Sequence, residues 1–211
     1  MFFRISAAAV LLMIPVAASD AEAGMKAFRA GDYSAAFREW APLAEKGDAN
    51  AQCNLGILYE KGLGVQRDLP MAFKLFQSSA DQGNAQAQFH LGRMYAKGWG
   101  VTQSFADALL WTQRSAQNGD PEGENRLGWL YDEGYGVSKD PKQAAHWYRL
   151  AADKGSADAQ LGLGQLYEKG SGVHRDMNEA AKWYRMAAAQ GGTKAKDELA
   201  AFEARQLAAK K

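Results

Sequence analysis

Cysteine is almost missing from this chain. Cys53 is the only one in 211 residues, so no intramolecular disulfide can form and the fold must rest on packing. Charge of one sign is not in surplus either: 25 Lys and Arg stand against 24 Asp and Glu, a formal charge of +1. That balance lacks the broad basic field that nucleic-acid binding needs. The residues of common reactive centres are also sparse. His90, His146 and His174 have no metal-ligand spacing such as H-E-x-x-H, and no serine stands in G-x-S-x-G. Neither a metal nor a cofactor is expected. Cys53 falls on a helix position held elsewhere in the chain by Phe89, Asn125 and Leu161, where a small packed side chain is the simpler reading.

Long apolar runs are limited to one, Ile5 to Ala18, preceded by Arg4 and followed by small residues. It is shorter than the roughly 20 residues a spanning helix needs and has the pattern of a secretory signal peptide. Residues 1–23 are read as that signal, with cleavage after Ala18 or Ala23. A soluble protein in a bacterial periplasm or outside the cell is the resulting expectation.

Glycine is abundant, with 22 residues, and it is ordered. The phrase "YEKGLGVQRD" at Tyr59 returns as "YAKGWGVTQS" at Tyr95, "YDEGYGVSKD" at Tyr131 and "YEKGSGVHRD" at Tyr167, each 36 residues after the last. Internal repetition at this period means a solenoid. Four repeats run 47–82, 83–118, 119–154 and 155–190, each predicted to hold two helices. Asp48, Asn84, Asp120 and Ser156 are N-cap residues for the first helix, and Gly62, Gly98, Gly134 and Gly170 close it, because glycine takes positive φ without steric penalty. Asp68, Ser104, Asp140 and Asp176 cap the second helix, with Asp107, Gln143 and Glu179 placed to complete capping boxes.

A further glycine recurs inside the first helix at Gly56, Gly92, Gly128 and Gly164, where it costs about 1 kcal/mol relative to alanine. Large side chains of the second helix offset that loss if they lie on the bare backbone: Leu75, Trp111, Trp147 and Trp183 at one position, or Phe76, Tyr148 and Tyr184 at the next. Residues 24–46 read as a partial repeat that keeps the second-helix frame, and 191–211 as a capping helix with no neighbour to receive.

The pattern A-x-x-L-G-x-L-Y-x-x-G-x-G-V followed by D-x-x-x-A-x-x-W-Y-x-x-A-A resembles the Sel-1-like repeat, a relative of the tetratricopeptide repeat. The resemblance implies an all-α, right-handed solenoid of antiparallel helix pairs with first helices lining a concave face. It also implies a scaffold or adaptor that binds a protein or peptide, often in envelope signalling. Some secreted members carry a cysteine pair in each repeat and have been linked to β-lactams. That leaves an enzyme acting on β-lactams or cell-wall peptides as the alternative, though this chain lacks those pairs.

First-helix positions that vary between repeats and recur at helical spacing are the expected partner-facing stripe. They are Asn54, Ile57, His90, Arg93, Arg126, Trp129 and Gln165, joined by Phe89. Arg93 and Trp129 carry most weight, since Arg and Trp are enriched among binding hot spots. All three histidines fall at positions that vary freely between repeats, and all three are expected at the surface.

Overall fold

Glycine punctuation and apolar spacing build eleven helices among the residues described by the structure, a computed structural model covering residues 16–209. They are α1 (Val16–Arg29), α2 (Tyr33–Glu45), α3 (Ala49–Lys61), α4 (Leu69–Asp81), α5 (Ala85–Lys97), α6 (Phe105–Gln117), α7 (Pro121–Glu133), α8 (Pro141–Asp153), α9 (Ala157–Lys169), α10 (Met177–Ala189) and α11 (Thr193–Ala208). Consecutive helices pack as pairs and pairs stack on pairs. In addition, α5 touches α7, α7 touches α9 and α9 touches α11, which places the first helices on the tighter side of an α-solenoid. Residues 1–15, most of the expected signal peptide, lie outside the described residues, and α1 runs through both Ala18 and Ala23.

Each first helix ends as its sequence dictates. Gly62 has φ 69° and sends its N–H to the Leu58 carbonyl, and the next N–H, that of Leu63, donates to the same carbonyl at 3.0 Å. Trp99, Tyr135 and Ser171 repeat that bond to Met94, Leu130 and Leu166. The caps of the second helices form as expected, but the capping boxes do not. The N–H groups of Asp68, Ser104, Asp140 and Asp176 donate to the carbonyls of Tyr59, Tyr95, Tyr131 and Tyr167 at 2.9–3.1 Å, so the preceding helix already satisfies the donor a box would serve.

Three of the four internal glycines meet rings, and each ring comes from the second of the two adjacent positions. A Cβ on Gly56 would stand 2.7 Å from the Phe76 ring, one on Gly128 2.8 Å from Tyr148, and one on Gly164 3.1 Å from Tyr184. The N-terminal pair uses the same device: a Cβ on Gly24 of α1 would run into the Trp40 indole of α2, whose Nε1 donates to the Ala21 carbonyl at 3.4 Å.

A polar ladder also ties repeat to repeat. Buried Gln52, Gln88, Glu124 and Gln160 pair with Gln82, Asn118, Lys154 and Gln190, each 30 residues later. Three rungs are amide pairs, and the third is an ion pair of 2.6 Å between Lys154 and Glu124. Both members change together, so no buried charge is left alone.

Candidate functional site

The eight residues of the expected stripe lie on α3, α5, α7 and α9, and three of them border one hollow. Asn54 and Ile57 lie half-buried on α3, and Ile57 packs against the core cluster that contains Phe76 and Met94. Gln165 on α9 lines a separate polar hollow at the C-terminal end with Glu168, Arg175 and Arg205. Phe89 is half-buried on α5, with the Arg93 guanidinium 5.7 Å from its ring centre.

His90 corrects the expectation of a surface residue. It is buried, stacked on Phe76 at 4.6 Å and 2° between planes, with Nδ1 3.0 Å from Oε2 of the buried Glu60. Burial opposes ionisation of Glu60, but His90, then Arg93 at 3.3 Å and Lys61, outweigh it and hold the carboxyl below its usual value. His146 and His174 are exposed. Burial, with Asp120 and Glu60 nearby, pushes the Cys53 thiol up to about 12, far from a reactive thiolate. Among the described residues, no group of three or more His, Cys, Asp or Glu is placed to hold a metal ion.

Arg93, Arg126 and Trp129 do come together. They border an apolar hollow of about 500 Å³ between α5, α6, α7 and the loop after α7. Its floor is Gly92, Ala108 and Thr112, and Phe105, Leu109 and Tyr135 add apolar walls. Trp129 stacks on Tyr135 at 5.0 Å between ring centres, and the Arg126 guanidinium lies 4.4 Å from the Trp129 ring centre. Burial first, and the charge of Arg93 second, draw Arg126 below its ordinary value. Thr112, Phe105, Leu109 and Tyr135 were not among the expected site residues. The sequence does carry a signal for them: Thr112 stands where other repeats have Phe76, Tyr148 and Tyr184.

The profile of the Sel1 repeat matches residues 49–84, 85–120, 121–156 and 157–192. Among solved structures, a Sel1 repeat protein from Oxalobacter formigenes is 36% identical with a TM-score of 0.73, over 79% of this chain and 48% of that one. The protective antigen c5321 of uropathogenic Escherichia coli, described as displaying an SLR fold, is 31% identical with a TM-score of 0.75, over 91% of this chain and 42% of the other. An immunity protein from Pseudomonas aeruginosa is 25% identical with a TM-score of 0.60, over 86% of this chain and 68% of its own. This chain thus spans less than half the length of the first two. No curated protein is similar enough in sequence to add a further relative.

Proposed function

The chain belongs to the Sel1 repeat family, and from that premise we propose that it is an exported interaction scaffold that binds a protein of the bacterial envelope through its first-helix side. The observation that carries the reading is the convergence of Arg93, Arg126 and Trp129 on one apolar hollow. Arg and Trp dominate the energetics of protein interfaces because each offers a large contact area with a polar handle. Stacked repeats hold these groups in place before a partner arrives, so little ordering entropy is lost on binding.

Affinity capture from the envelope fraction tests the proposal, comparing the wild type with the Arg93→Ala, Trp129→Ala double variant. A partner held by the first and lost by the second, with helical content unchanged, supports it. Equal capture by both overturns it. Export itself is read from Arg4 and the apolar run of residues 5–18. Processing after Ala18 keeps the Ala21 carbonyl that Trp40 uses, whereas processing after Ala23 removes it. N-terminal sequencing of the exported protein is expected to begin at Ser19.

A further inference from the structure

Where the neighbouring repeats hold a ring, the second repeat holds a hollow, and we infer that this hollow is a slot for an acidic peptide segment of a partner protein that inserts one aromatic side chain over Gly92 and Thr112. The inference rests on the protein-binding reading above and adds the chemistry of the partner.

The solenoid itself supplies the measure of the guest. In the first repeat, Phe76 lies between Gly56 of its own repeat and His90 of the next. In the third, Tyr148 lies between Gly128 and Gly162, whose added Cβ would approach the Tyr148 ring to 2.8 Å in each case. The corresponding residues of the second repeat are Gly92, Thr112 and Arg126, and all three line the hollow. Thr112 Oγ1 stands 3.0 Å from where a Cβ on Gly92 would lie, so the short hydroxyl covers only the root of the ring's place and the hollow opens beyond it. Its volume of about 500 Å³ falls in the range of sites that take a small guest, roughly 300–1,000 Å³.

The walls favour an aromatic guest, since Trp129 and Tyr135 already form a stacked pair beside the space. Phe105 and Tyr135 are 67% and 57% exposed, so this patch leaves large apolar side chains in water until something covers them. The charge of the rim decides the rest of the partner. Arg93, Lys97 and Arg126 line the hollow and no carboxylate does. Arg93 shares the buried Glu60, but Arg126 forms no ion pair among the described residues. Acidic residues flanking the inserted ring answer that charge with hydrogen-bonded carboxylates. A second copy of this chain fits less well, because a stable dimer needs roughly 800 Å² from each partner, far more than a slot for one side chain.

The test uses fluorescence anisotropy with the full folded chain and an end-capped, fluorescein-labelled peptide of Gly and Ser carrying one Phe flanked by Asp. Saturable binding is expected, at least tenfold weaker when the peptide's Phe becomes Ala or its Asp residues become Lys. On the protein side, Thr112→Phe fills the slot and Arg126→Ala removes the cation, each weakening the Asp-Phe peptide at least tenfold with helical content retained. Absence of saturable binding, or undiminished binding to Thr112→Phe, overturns the inference. Concentration-dependent self-association that Thr112→Phe abolishes also overturns it, by placing a second copy in the slot. An envelope partner lost by the Arg93→Ala, Trp129→Ala variant but kept by Thr112→Phe removes the slot and leaves the scaffold reading standing. One kept by both removes both.

Discussion

Phe76 and Thr112 hold the same place in successive repeats, and the molecule around them differs accordingly. In the first repeat the ring closes a sandwich of Gly56, Phe76 and His90, all buried. In the second, the floor is Gly92 under a short hydroxyl that bonds its own helix, with Thr112 Oγ1 donating to the Ala108 carbonyl at 2.8 Å. One ring separates a piece of core from an open hollow on the same backbone plan. The most direct way to break the comparison is to make the first repeat resemble the second. Phe76→Ala should lose about 4 kcal/mol through the transfer of a buried ring and the cavity left behind, measured by urea unfolding. A loss below about 1 kcal/mol would mean that the sandwich does not bear on stability.

The loops that follow the first helices differ in the same region. A Cβ on Gly172 would overlap the Pro141 carbonyl, and one on Gly100 the Leu69 carbonyl, whereas one on Gly136 meets only Leu109 Cδ2 at 3.9 Å. Both Gly136 and Gly172 have positive φ, 72° and 71°. The backbone strain of an added side chain is thus the same and only the close approach differs. Gly172→Ala should cost about 3 kcal/mol and Gly136→Ala about 1 kcal/mol, the latter being the left-handed strain alone. Equal losses in thermal unfolding would show that the loop beside the hollow is packed as tightly as the others.

Glu60 and His90 supply the polar part of the sandwich that the second repeat lacks. Replacing Glu60 by Gln should cost about 2 kcal/mol at neutral pH, the worth of buried hydrogen-bond partners with charge. The pH dependence gives a separate check. The folded Glu60 carboxyl is held below its usual value by His90, Arg93 and Lys61 against the opposing effect of burial. Its contribution is therefore complete above the unfolded value of about 4.3 and is lost as pH falls through the folded one. Urea midpoints taken from pH 7 to pH 3 should fall more steeply for the wild type than for Glu60→Gln. Parallel curves would mean that the carboxylate gains nothing from its partners.

The architecture was legible because the 36-residue phrase places helix ends, caps and turns by local backbone chemistry, which each stretch settles for itself. The slot was not, because rotation of the second helix decides which of two adjacent positions faces the glycine, and Trp111 looked as suitable as the missing ring at Thr112. His90 was misplaced for a related reason. Variation between repeats does not mean exposure here: His90, Arg126 and Gly162 vary because each answers a different residue in the previous repeat, Phe76, Thr112 and Tyr148. Gly24 falls outside the repeat spacing because the turn after α1 is shorter than the turns after α3, α5, α7 and α9, which brings it 16 residues before Trp40 where Gly56 stands 20 before Phe76.

Thr112→Phe sharpens the comparison with the smallest expected change in stability. The substitution adds a ring above Gly92 where three other repeats already accept one, and it gives up only a hydroxyl bond to a carbonyl within its own helix, a bond that adds little to helix stability. Cavity filling of this kind adds about 1 kcal/mol, which in a chain of this size raises the melting temperature by roughly 2–4 °C. A rise would mean that the second repeat carries an unfilled place at the expense of stability, as a surface kept for a guest does. A fall would mean that α5 and α6 have closed over Gly92, where a Cβ would already meet the Ala108 carbonyl at 3.2 Å, and that the hollow has its own shape rather than that of a missing ring.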